Sequence, residues 1–278
     1  MKTITKIWII VAVSLIAIGV VAFTIGVSLN GGIEMNKYTT KTYDNLESFN
    51  DITINATTAD INFLQSSDSK AKVVCYEEEK ESYSVAVNDN KLTIELKSNK
   101  KWYEFISIGF KSPKITVYLP SEKYSEICIK LSTGDIDING ITAKNLNLTV
   151  TTGDIELKNA TVENDINIKY STGEVELENI KANNFTASGS TGDIDLNSVV
   201  LSDKMNITTS TGDVHFYRSD ASEIKVKVTT GDVKGSLLSS KIFMVNTSTG
   251  KKQVPKTTEG GICEITTSTG DIIITIAN

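Results

Sequence analysis

One short string recurs through the second half of this chain and restricts its fold more than any other feature. It reads STGDIDING at 132–140, then TTGDIELKN from Thr151, STGEVELEN from Ser171, STGDIDLNS from Ser190 and STGDVHFYR from Ser210. It continues as TTGDVKGSL from Thr229, STGKKQVPK from Ser248 and STGDIIITI from Ser268. The glycines are Gly134, Gly153, Gly173, Gly192, Gly212, Gly231, Gly250 and Gly270, always 19 or 20 residues apart. A fixed period of this length marks a solenoid, whose single coil cannot bury its own apolar face and must stack on its neighbours.

The residues around each glycine say what kind of solenoid. Seven, five and three positions before it lie sets such as Ile127/Ile129/Leu131 and Leu146/Leu148/Val150, and two and four positions after it lie Ile136/Ile138 and Ile155/Leu157. Both runs have period two, so each coil supplies two short strands with one apolar face apiece, and no coil has room for a helix. Successive coils must then pair strand on strand in parallel, about 4.8 Å apart. The expected class is all-β: a parallel β-helix, or β-solenoid, of 19–20-residue coils over 126–278.

Every coil turns the same corner. A tight corner needs the positive φ that glycine supplies, and the preceding threonines (Thr133, Thr152, Thr172, Thr191, Thr211, Thr230, Thr249 and Thr269) are short hydroxylated residues suited to bonding turn backbone. These Thr-Gly pairs form the expected structural ladder. The acids that follow, Asp135, Asp154, Glu174, Asp193, Asp213, Asp232 and Asp271, make a file with two readings: they accept corner amide hydrogens, or, because stacked carboxylates repel, they hold a cation such as calcium. Calcium solenoids place two Gly-rich turns around each ion at a nine-residue repeat, whereas this chain has one per coil, which favours capping and no cofactor. Lys251 replaces the acid in the seventh coil.

Before the marked coils the pattern loosens. DITINATTADINF from Asp51 is a degenerate coil with Ala59 in the glycine position, and the runs KVVCYEE, YSVAV, KLTIEL and KITVYLP between Lys70 and Pro120 read as strands of a mixed β cap, so 51–125 is an N-terminal cap. Residues 30–50 read as a linker and first strand. The last strand, Asp271–Asn278, reads as an unpaired edge through which two copies could associate.

The first thirty residues differ in kind. From Ile7 to Leu29 no residue is charged, and 23 helical residues reach about 34 Å, enough to cross a hydrocarbon core of about 30 Å. A cleaved secretory signal would have a shorter apolar region and a small-residue cleavage site, so the expectation is a retained anchor over 7–29. Lys2 and Lys6 precede it, which places residues 1–6 in the cytoplasm and the bulk of the chain outside the cell membrane.

Without those two lysines the remainder carries 26 basic and 34 acidic residues, a formal charge of −8. That sign argues against nucleic-acid binding, which needs clustered Lys and Arg. Cys75, Cys128 and Cys263 are few and widely spaced, and read as small apolar side chains. No coil carries the long insertions that could wall a catalytic cleft. The single histidine, His215, stands at an outward position, and no nucleophile, phosphate-loop or metalloprotease motif occurs, so no enzyme is expected. The one aromatic cluster outside the anchor, KKWYEFISIGFK at 100–111, carries Trp102, Tyr103, Phe105 and Phe110, which either pack the cap or form a contact surface.

ITVYLP (Ile115–Pro120), the STGDI turns and the ending VPKTTEGGICEITTSTGDI (Val254–Ile272) together resemble the bacterial putative-adhesin domain family of unknown function, anchored envelope proteins widespread in Gram-positive bacteria. The resemblance covers about residues 45–278 and implies a β-solenoid with no catalytic residues. It also implies, through some relatives, an association with cell-envelope stress. Two functions follow as expectations: a membrane-anchored extracellular adhesin that binds wall polymer, glycan or an envelope protein, or a structural and regulatory envelope component acting through protein partners.

Overall fold

The computed structural model describes residues 3–29, 37–79, 81–98, 112–120 and 122–277. The chain divides into two compact units, one containing the N-terminal helix and the other the β structure.

In the first unit the helix runs Thr3–Leu29, with Lys6 its only charge. Its described side chains are continuous from Trp8 to Val21, and large apolar ones stand exposed all round it, Trp8 at 68%, Ile10 at 65% and Leu15 at 64%. The expected span over 7–29 extends beyond this run. Among the described residues no helix is long and apolar enough to cross a membrane.

The second unit is a parallel β-solenoid. One inward column links its layers in register: Leu92, Ile52, Ile127, Leu146, Ile166, Phe185, Met205, Ile224, Cys263 and Phe243. A second column on the next side runs Ile115, Ile61, Ile136, Ile155, Val175, Ile194, Val214, Val233, Ile272 and Lys252. From Leu92 to Cys263 and from Ile115 to Ile272 these side chains are all at most 1% exposed. Each contributes about 1.5–3 kcal/mol by leaving water, and a single coil could bury none of them alone.

The coils have three sides, not the two that the alternation predicts. Six positions after the corner glycine the chain bends again at positive φ, at Gly140, Asn159, Asn179, Ser198 and Arg218. Behind this bend Ile141/Ala143, Ala160/Val162, Ile180/Ala182 and Val199/Leu201 turn inward and are buried. Two inward residues per coil are too few to show a period, which is why this side escapes the sequence pattern.

Stacking order departs from chain order at both ends. The strand Glu223–Thr230 pairs with Gly261–Thr269, which in turn pairs with Lys241–Thr249, so the last coil in sequence lies inside the one before it. The last strand, Ile272–Ile276, is therefore not the unpaired edge expected: Val233–Leu237 flanks it on one side, and Lys252–Gln253 covers Ile272 and Ile273 on the other. Among the described residues Lys241–Thr249 is paired on one side alone and forms the edge at this end. Lys252, at an inward position by count, escapes burial because its layer is terminal, and its Nζ donates to Asn246 Oδ1 at 3.3 Å. At the other end Asp51–Thr58 sits between Lys123–Thr133 and Lys91–Ser98, so the sequence-first coil is again internal. Beyond it, Glu81–Asn88 pairs antiparallel with Lys91–Ser98, Lys72–Glu78 with Lys114–Leu119, and Tyr38–Tyr43 with Lys72–Glu78.

Candidate functional site

The Thr-Gly corner is held by backbone rungs that cross from coil to coil. Gly134 N donates to Thr152 O at 3.0 Å, Gly153 to Thr172 at 3.0 Å, Gly173 to Thr191 at 3.1 Å, Gly192 to Thr211 at 3.0 Å and Gly212 to Thr230 at 3.0 Å. Gly231 donates to Thr269 at 2.9 Å and Gly270 to Thr249 at 2.8 Å, following the stacking order. At Gly153, with φ +140°, a Cβ would lie 1.9 Å from Gly134 O. Glycine is thus needed twice over, for its conformation and because the neighbouring coil occupies the space of any side chain. Buried hydroxyls three residues upstream add support in the last two layers: Thr267 Oγ1 donates to Gly231 O at 3.1 Å and Thr247 Oγ1 to Gly270 O at 3.0 Å.

The acidic file runs beside this ladder. Asp135 Oδ1 accepts Asp154 N at 2.9 Å, Asp154 Oδ1 accepts Glu174 N at 2.7 Å, and Asp193 Oδ1 accepts Asp213 N at 2.7 Å. Beyond, Asp213 accepts Asp232 N at 2.8 Å, Asp232 accepts Asp271 N at 2.7 Å, and Asp271 accepts Lys251 N at 2.8 Å. One carboxylate oxygen of each of these aspartates is committed to the neighbouring coil. Lys251 can therefore end the file without loss: it needs only to receive the last rung.

A second acidic row, Asp137, Glu156, Glu176 and Asp195, lies two residues further along the same side. Its first three members, together with Asp135, Asp154 and Glu174, border a shallow hollow of about 280 Å³. Burial, and then the neighbouring Glu156, push the Asp137 carboxyl above the ordinary range. Burial likewise raises Glu174, helped by Asp195 and Asp154. Lys158 stands among them, bonded to Glu156 and 3.9 Å from both Glu176 and Glu178. Among the described residues no group of three or more His, Cys, Asp or Glu is placed to hold a metal ion.

His215 follows Asp195 in this row, and its Nδ1 lies 2.8 Å from Asp195 Oδ1 on the outward surface. Trp102, Tyr103, Phe105 and Phe110 lie outside the described residues. The three cysteines are free thiols, and burial pushes Cys75 and Cys263 up to about 12. On the first side of the coils the outward polar residues stack into rows. Asn147, Asn167, Thr186 and Asn206 form one and Thr149, Lys169, Ser188 and Thr208 the next, and Asn167 Nδ2 donates to Asn147 Oδ1 at 3.0 Å between coils. Each coil alone looks like an ordinary polar alternation, and the rows exist only once the coils stack.

The fold recurs in solved structures. A "putative adhesin" from Bacteroides fragilis superimposes with a TM-score of 0.55 at 20% identity, over 86% of this chain and 97% of that one. A "putative lipid binding protein" from Parabacteroides distasonis gives a TM-score of 0.57 at 17% identity, over 86% and 97%. The search of curated proteins gives no match. Residues 49–164 and 161–278 each match one protein family, so the chain carries that domain pattern twice over, and it belongs to the Toastrack DUF4097 family, whose function is unknown.

Proposed function

We propose that this protein is a non-enzymatic, surface-displayed binder of a repeating envelope or external polymer, held to the cell membrane by its N-terminal helix. The observation that carries the reading is the stack of coils: from Gly134 to Gly212 each coil turns the same two corners and pairs in register with the next. Such a surface offers a polymer many equivalent weak contacts, whose combined strength exceeds any one of them. The uncharged run Ile7–Leu29, helical throughout, supports the anchor. Relatives of the same fold described as adhesin and as lipid binding are in keeping with a surface role.

The test uses the full chain with isolated wall polymer, polyol-phosphate polymer and anionic vesicles, each with calcium and with chelator. Saturable, polymer-selective binding is expected, unaffected by chelator because the Asp file serves the corners. Absence of binding to all three would overturn the proposal. Recovery of the chain from washed membranes, and its loss from them on deletion of residues 1–29, checks the anchor.

A further inference from the structure

The regular rod is broken at one internal place. Between Val214–Ser219 and Val233–Leu237 the register slips: Phe216 pairs with Gly235, but Ser219 pairs with Leu237, so Tyr217 and Arg218 face a single residue, Ser236. Gly235 permits the slip. It stands at φ +134° in a column otherwise filled by Phe63, Ile138, Leu157, Leu177, Leu196 and Phe216, and a Cβ there would lie 1.9 Å from Phe216 O. Arg218 takes the positive φ, +50°, that Asn159, Asn179 and Ser198 take in the preceding coils, where Asn tolerates it far better than a long side chain. Bulges of this kind re-aim side chains and gather at binding sites.

The outward side chain beside this slip is Tyr217, which is 62% exposed. Asn197 lies beside it one coil back, in register, and His215 lies two residues before it on the same outward face. Ser236 flanks it on the other side, its Oγ accepting Arg218 N at 3.1 Å. Nearby ionisable groups meet one another: His215 Nδ1 lies 2.8 Å from Asp195 Oδ1, and Lys234 pairs with Asp232. Around the exposed aromatic face stand amide, imidazole and hydroxyl groups, with Arg218 next in the chain. That complement suits a neutral polyhydroxylated ring, which stacks its C–H face on the phenol and hydrogen-bonds at its edge.

We propose that Tyr217, with Asn197, His215 and Ser236, forms a saccharide subsite that receives one sugar of a neutral glycan chain. This rests on the polymer-binding reading above and assigns its ligand class. Outward neighbours lie about 4.8 Å apart between coils and about 6.6 Å apart along a strand, so flanking sugars would run onto the polar rows of adjacent coils.

The experiment titrates the full chain calorimetrically with the tetramers of glucose and of N-acetylglucosamine. At least one should bind, Tyr217→Ala should weaken it about tenfold or more, and Tyr217→Phe should stay within about twofold. Lys130→Ala, on another side of the rod, should change nothing. If wild type binds neither tetramer, or Tyr217→Ala binds as tightly as wild type, the subsite is overturned. Persistent binding of the whole chain to wall polymer in that case would leave the polymer reading standing, whereas loss of both would remove the two together.

Discussion

The ring of Tyr170 fills the volume that a side chain at Gly189 would need: a Cβ on Gly189 would lie 2.0 Å from Tyr170 Cζ. The two occupy equivalent positions three residues before successive corner glycines, so one coil carries no side chain because its neighbour carries a large one. Gly189→Ala should therefore cost about 1–3 kcal/mol in urea denaturation through overpacking. Tyr170→Leu should recover part of that loss in the double variant. Equal stability of Gly189→Ala and wild type would show that the ring does not sit there.

The Tyr170 hydroxyl and Thr209 Oγ1 are both buried without a well-formed hydrogen bond, although Thr209 is the phenol's polar neighbour. Burial raises the phenol's pKa, and Thr209 offsets only part of the rise. Tyr170→Phe removes one poorly satisfied group and should leave stability unchanged or raise it by up to about 1 kcal/mol. A loss above that would mean the two hydroxyls do pair.

Not all positive-φ glycines should matter equally. Gly140 has open space where a Cβ would go, whereas Gly153 meets the Gly134 carbonyl. Gly140→Ala should cost about 1 kcal/mol, the conformational term alone, and Gly153→Ala clearly more, read as the separation of their urea midpoints.

The acids pull stability in opposite directions. Asp232 is held below the ordinary carboxylate range by its bond to Lys234 and by the Asp271 amide. It protonates more readily when unfolded, so its contribution is present at neutral pH and lost as pH falls through its folded pKa. Glu174 and Asp137 are raised, so the folded state disfavours their charged forms and neutral pH carries the penalty. Glu174→Gln should raise the melting temperature at pH 7 and lose that advantage by pH 4. Asp232→Asn should lower it at pH 7 and flatten the acid limb.

Lys241 and Asp220 form a buried ion pair, Nζ to Oδ1 2.6 Å, with 4% and 12% of their side chains exposed. Lys241 begins the outermost strand and Asp220 belongs to the coil of Gly212, so the pair ties the terminal coil inward. Lys241→Met leaves an unpaired buried carboxylate and should cost about 3–5 kcal/mol, while Lys241→Met with Asp220→Leu should recover most of it. The reversed coil order has its own readout. A Cys pair at Lys225 and Glu264, neighbours in register, should oxidise to a disulfide in a Cys128→Ser background, and one at Lys225 and Met244 should not.

The repeat alone determined that this chain is a parallel β-solenoid, because a 19–20-residue period with alternating inward residues admits no helix and no isolated coil. The corner glycines were equally legible, since only glycine suits a tight corner at positive φ. The third side was not, because pairs such as Ile141/Ala143 and Ala160/Val162 are too short to show periodicity. The order of the end coils was hidden for a different reason. Cys263 fits between Ile224 and Phe243 as readily as beyond Phe243, and only the buried Lys241–Asp220 pair and the pairing of non-adjacent segments make the choice. The surroundings of Tyr217 also belong to tertiary structure: in its own strand it is one more outward residue, and only stacking puts Asn197 on one side of it and Ser236 on the other. Local alternation sets which way a side chain points, but which coil it meets is decided by contacts between residues far apart in the chain.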